Sequence, residues 1–71
     1  MRRRRVESSA IRSVGYERET AMLEVEFTSD RVYRFFAVPH AIYDGLMKAE
    51  SVGAYFNEFV RDRYPDELVR R

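Results

Sequence analysis

Residues 33–39 read Tyr-Arg-Phe-Phe-Ala-Val-Pro, and this run sets the fold. Tyr33 and Phe35 stand two apart, the spacing that places side chains on one face of a strand. Pro39 suits the first turn of a helix, where its missing N–H has no partner to lose. The run therefore marks a switch from strand to helix.

Upstream, residues 21–28 alternate cleanly. Leu23, Val25 and Phe27 share one face, and Met22, Glu24 and Glu26 share the other, the pattern of a half-buried strand. A third strand spans residues 31–38. Its pairing with residues 21–28 has two candidate registers. A type I turn with a bulge at Asp30 sets residue 25 opposite 33 and 23 opposite 35. Glu24 then faces Arg34, an attractive cross-strand pair. A tight two-residue loop would instead set Glu24 against Phe35 and Glu26 against Tyr33. Burying both acids is costly, so the bulged register is expected. Residues 9–17 form a first strand, in which Ile11 and Val14 have opposite parity and Gly15 suggests a bulge.

Downstream, Ile42, Tyr43, Leu46 and Met47 follow at helical spacing. Ser51 is placed to cap a second helix, along which Val52, Tyr55, Phe56, Phe59, Val60 and Arg63 line one face until Pro65 stops it. The expected fold is α+β: a three-stranded antiparallel sheet followed by two helices packed on one face, in the order β-β-β-α-α. Residues 1–7 read as a flexible basic arm, 8–65 as the domain and 66–71 as a C-terminal tail.

The chain has 71 residues and no cysteine. A domain of this size buries only about 60% of its unfolded surface, and neither a disulfide nor a cysteine-based zinc site can reinforce it. Burial in a homodimer would. No apolar run approaches a membrane span. The arginines after Met1 are followed by Glu7 and no apolar segment, which excludes a signal peptide, so a cytoplasmic location is expected. The net charge is +1, yet residues 6–65 hold seven basic and ten acidic side chains. The body is mildly acidic and the ends are basic.

Several pieces in order, Ser8-Ser9-Ala10-Ile11, Gly15-Tyr16, Leu23-x-Val25-x-Phe27, Tyr33-x-Phe35, Val38-Pro39 and Ser51-x-Gly53-x-Tyr55-Phe56-Asn57, resemble the KTSC domain. This module is named after the C-terminal extension of some lysyl-tRNA synthetases and also occurs free-standing in bacteria and prophages. The resemblance covers roughly residues 8–64. The family pattern has a central Tyr-x-Tyr, where this chain has Phe35, and often a glycine where this chain has Asp30. The family's function is unknown. Its synthetase context implies association with RNA.

The candidate chemistry is sparse. Arg2, Arg3, Arg4 and Arg5 are placed to grip phosphates, with Arg34 and the rim of Tyr33 as further nucleic-acid candidates. Tyr33 and Phe35 otherwise fill the core, because the face they share with Leu23, Val25 and Phe27 is too apolar to stay bare. On the opposite face Glu24 and Glu26 are expected to repel a phosphate backbone, which makes Phe36 and Met22 candidates for contact with a protein or a second copy of the chain. His40 is the single histidine and reads as a surface or capping residue. No nucleophile–base–orienter set is visible, so a non-enzymatic module with no cofactor, metal or small-molecule substrate is expected. Two readings of its partner stand: RNA, or another protein including itself.

Overall fold

The computed structural model describes residues 2–70; Met1 of the basic arm and Arg71 of the tail lie outside the described residues. The strands are β1 (Arg3–Arg5), β2 (Ile11–Glu17), β3 (Met22–Phe27), β4 (Val32–Phe35) and β5 (Asp66–Arg70), and the helices are α1 (His40–Lys48) and α2 (Val52–Phe59). The class is α+β with an antiparallel sheet, but the sheet has five strands rather than three, in the order β1-β2-β3-β4-β5.

The central hairpin takes the bulged register. Leu23 pairs with Phe35, Glu24 with Arg34 and Val25 with Tyr33. Asp30 adopts φ 74°, the left-handed conformation that such a turn demands. The Phe27 N–H donates to the Arg31 carbonyl at 2.9 Å, and the Asp30 N–H to the Phe27 carbonyl at 3.0 Å. This register keeps Leu23 and Val25 fully buried and lets Glu24 find Arg34.

The two added strands come from the segments expected to be solvated. Arg3, Arg4 and Arg5 pair with Gly15, Val14 and Ser13. Asp66, Glu67 and Leu68 pair with Phe35, Arg34 and Tyr33. Without them β2 and β4 would each present a row of unpaired N–H and C=O groups. An edge strand needs no apolar side chains to fill that role. The backbone of β1 makes the ladder while Arg4 and Arg5 stay in water and Arg3 lies over Glu24.

The bulge expected at Gly15 lies instead between Ile11 and Ser13. The extra residue turns both Ile11 and Val14 toward the core, which accounts for their opposite parity. Gly15 is regularly paired, between Arg3 and Glu24.

Both helices cover one face of the sheet. Leu46, Val52, Phe56 and Val60 pack there with Ile11, Val14, Leu23, Val25, Phe35 and Val38. Pro39 is the N-cap of α1, one position before the first helical turn. Ser51 caps α2 through its hydroxyl, which accepts from the Ala54 N–H at 3.1 Å. That helix stops at Phe59 rather than reaching Arg63. Asp62 turns left-handed at φ 61°, and the chain bends back so that Pro65 can accept from the Phe36 N–H at 2.9 Å and start β5. The helices meet where Gly45 faces Tyr55. A methyl group at position 45 would overlap the Tyr55 hydroxyl and lie 2.5 Å from its Cζ.

Candidate nucleic-acid interface

The sheet face turned away from the helices carries two glutamates at adjacent positions of one parity on β3. Both are sunk beneath arginines. Glu24 Oε2 accepts from Arg3 Nη1 at 2.8 Å, and its Oε1 accepts from Arg34 Nε at 2.9 Å. The cross-strand register makes this arrangement possible. Arg3, Gly15, Glu24 and Arg34 lie directly opposite one another across four strands.

Glu26 repeats the device one row along. Its Oε1 accepts from the Ser13 hydroxyl at 2.8 Å, and its Oε2 from Arg70 Nη2 at 2.9 Å and Arg12 Nη1 at 3.4 Å. The Ser13 hydrogen bond does most to hold the Glu26 carboxyl below its ordinary range, against an opposing effect of burial; Arg70 and the charges of Arg3 and Arg12 add to the lowering. Arg12 occupies the bulge of β2 and also reaches Asp30 Oδ1 at 2.7 Å, the contact that chiefly raises its own pKa.

Burial decides what such a surface presents to solvent. The side chains of Glu24 and Glu26 are 9% and 13% exposed, whereas those of Arg34 and Arg70 are 39% and 52% exposed. The two sunken carboxylates are capped by guanidinium groups, and the same face also carries the exposed Glu67, opposite Arg34, and Glu17, opposite Met22. Glu24 and Glu26, expected to repel a phosphate backbone, are each capped by two arginines. Arg3, Arg5 and Arg12 also border a hollow of about 390 Å³ over Ser13 and Glu26.

The candidate residues fall into three groups. Arg3 and Arg34 meet on Glu24, and Arg5 borders the hollow beside them. Arg2 and Arg4 are exposed, and Arg4, opposite Val14, belongs by parity to the other side of the sheet. Tyr33 is separate from this face: it is half-buried among Phe27, Phe35 and the core. It floors an open groove of about 680 Å³ between the Thr28–Arg31 turn and α2, with Phe27 and Phe56 beside it. Met22 and Phe36 are only half-exposed. The large apolar side chains that do stand exposed among the described residues are Phe59, Leu68 and Val69.

Arg12 and Arg70 went unnamed in the sequence as members of this surface. Arg70 reaches Glu26 across 44 positions of chain, a pairing that only the fifth strand creates. His40 sits in a local polar cluster, its Nδ1 3.1 Å from Asp44 and its Nε2 3.3 Å from Arg18. Among the described residues no group of three or more His, Cys, Asp or Glu is placed to hold a metal ion. No helix among them is long and apolar enough to cross a membrane.

Residues 7–64 match the family model of the KTSC domain. The chain is 41% identical over 64 residues to an uncharacterised protein of Stutzerimonas stutzeri, covering 90% of each. It is 38% identical over 63 residues to a lysine–tRNA ligase of Nostoc punctiforme, covering 89% of this chain but only 11% of that enzyme. The crystal structure of a KTSC domain protein from Yersinia pestis superposes with a TM-score of 0.94 at 29% identity, covering 96% of both chains.

Proposed function

The chain belongs to the KTSC domain family, and we propose that it is a small non-enzymatic module that holds an RNA phosphate backbone on the arginine face of its sheet. The observation that supports this reading is the sunken acid: Glu24 and Glu26 lie under Arg3, Arg34, Arg12 and Arg70. The guanidinium groups thereby lie outermost over the two buried acids, with the exposed Glu17 and Glu67 at the margin of the face. RNA is the favoured polyanion because a relative of this chain forms 11% of a lysine–tRNA ligase, an enzyme whose name includes an RNA.

The binding is backbone-directed, since the face offers guanidinium groups without an exposed aromatic platform. Its signature is salt dependence. Contact with about four phosphates of a single strand gives a log–log slope of roughly −3.

Fluorescence anisotropy with a labelled single-stranded RNA tests this reading over a range of salt. Arg5→Ala is the informative variant, because Arg5 is exposed and makes no side-chain hydrogen bond among the described residues. It is expected to reduce the slope by about 0.7 while leaving the melting temperature unchanged. Lys48→Ala, on α1, is the control and leaves the slope as it is. Failure of the whole chain to bind at low salt would refute the proposal, as would a slope indifferent to Arg5.

A further inference from the structure

The geometry points to a second copy of this chain as the partner of β5, joined edge to edge in an antiparallel seam; this goes beyond the RNA reading and does not depend on it. Strand β5 ends the sheet order, so among the described residues the row of backbone N–H and C=O groups on its outer side has no strand to pair with. All five of its residues are exposed. Leu68 and Val69, at its middle, are 37% and 43% exposed, and they are two of the three large apolar side chains left in solvent among the described residues.

The charge order of β5 selects the occupant. Asp66 and Glu67 lie at its start and Arg70 at its end, where the Arg70 side chain, 52% exposed, also holds Glu26 and the Asp30 carbonyl. Antiparallel pairing of β5 with itself sets the acidic end of each copy beside the basic end of the other, with Leu68 and Val69 of both copies between them. Parallel pairing would stack like charges. The opposite edge of the sheet is a poor site: β1 is three residues long, all arginine, and such a charged, short strand discourages pairing.

An isologous β5 seam closes on itself by two-fold symmetry and stops at a dimer. Because the two-fold axis stands normal to the sheet, it places the two arginine faces side by side. The register shift between Val32 and Tyr33 leaves Val69 unpaired with β4. That bulge shortens the regular seam, so the association is weak and of the transient class.

Sedimentation velocity without RNA, at loading concentrations up to about 0.5 mM, suits that weak, transient class. The wild-type chain is expected to show a reversible monomer–dimer equilibrium. Asp66→Arg/Glu67→Arg leaves only basic charge on the strand, and Arg70→Glu leaves only acidic charge. Each variant alone is expected to dimerise at least tenfold more weakly. An equimolar mixture of the two is expected to recover the wild-type association as a heterodimer, since each supplies the charge the other lacks. Circular dichroism confirms that each variant is folded. A wild-type chain that stays monomeric overturns the inference. So do variants that dimerise unchanged, a mixture that does not recover, or an open-ended polymer, which would indicate β1 seated on β5.

Discussion

Replacing Gly45 by alanine tests how the two helices are held together. Gly45 lies inside α1, where alanine is worth about 0.8–1.0 kcal/mol more than glycine by helix propensity alone. The added methyl would meet the Tyr55 ring, lying 2.5 Å from Cζ and 3.0 Å from Cε2 as well as overlapping the hydroxyl. Tyr55 cannot retreat freely, because its ring lies against Phe59 with centroids 4.6 Å apart. Overpacking of this kind costs about 1–3 kcal/mol. The steric term outweighs the propensity term, so Gly45→Ala is expected to destabilise by up to about 2 kcal/mol. In a Tyr55→Leu background the obstruction is gone, and the same substitution should stabilise by about 1 kcal/mol. Urea unfolding of the wild type, both single variants and the double variant yields a coupling energy of about 1–3 kcal/mol. A coupling below about 0.5 kcal/mol, the level expected for independent sites, would refute the reasoning. So would Gly45→Ala stabilising both backgrounds alike.

Three further outcomes follow from the packing and charges. Ser51→Ala removes the hydroxyl that accepts the Ala54 N–H and is expected to cost about 1 kcal/mol in urea unfolding; no change in midpoint would mean that water replaces the cap. Deleting residues 2–5 removes the pairing of β1 and the Arg3 partner of Glu24. It should lower stability by about 1–2 kcal/mol, visible as a melting temperature several degrees lower, whereas an unstructured arm would leave it unchanged. The lowered pKa of Glu26 means that its stabilisation is complete above the ordinary carboxylate range. It is lost as pH falls through that range toward the lower folded value. Ser13→Ala should raise the Glu26 pKa measured by NMR titration, and an unmoved pKa would show that the Ser13 hydroxyl is not its main cause.

The hairpin was legible because its two registers differ in one physical respect, whether Glu24 and Glu26 are buried against aromatic rings. The helices were legible from apolar spacing and from Ser51. Strands β1 and β5 were not, because Arg3–Arg5 and Asp66–Arg70 carry no apolar alternation. Edge strands are recruited by the hydrogen-bonding needs of their neighbours, which no local pattern displays. The bulge of β2 did leave a trace in the opposite parity of Ile11 and Val14, although Gly15 drew attention to the wrong position. The arginine face was half legible. Arg34 opposite Glu24 follows from the register, but Arg3 and Arg70 arrive only through the two strands at the sheet's edges, where they cover Glu24 and Glu26.

Strands β1 to β4 pair in chain order through short links, but residues 36–65, with both helices, intervene between β4 and β5. The β1–β4 pairings close over short stretches of chain and carry a small entropic cost, while the last pairing must bring together ends separated by a long excursion. During synthesis the hairpins and helices emerge before β5 does. Until residues 66–70 are made, the Val32–Phe35 edge has no neighbour on that side. Residues 66–70 thus close a seam that everything before them leaves open, and a chain cut after Pro65 would keep the core residues but leave β4 as a raw edge.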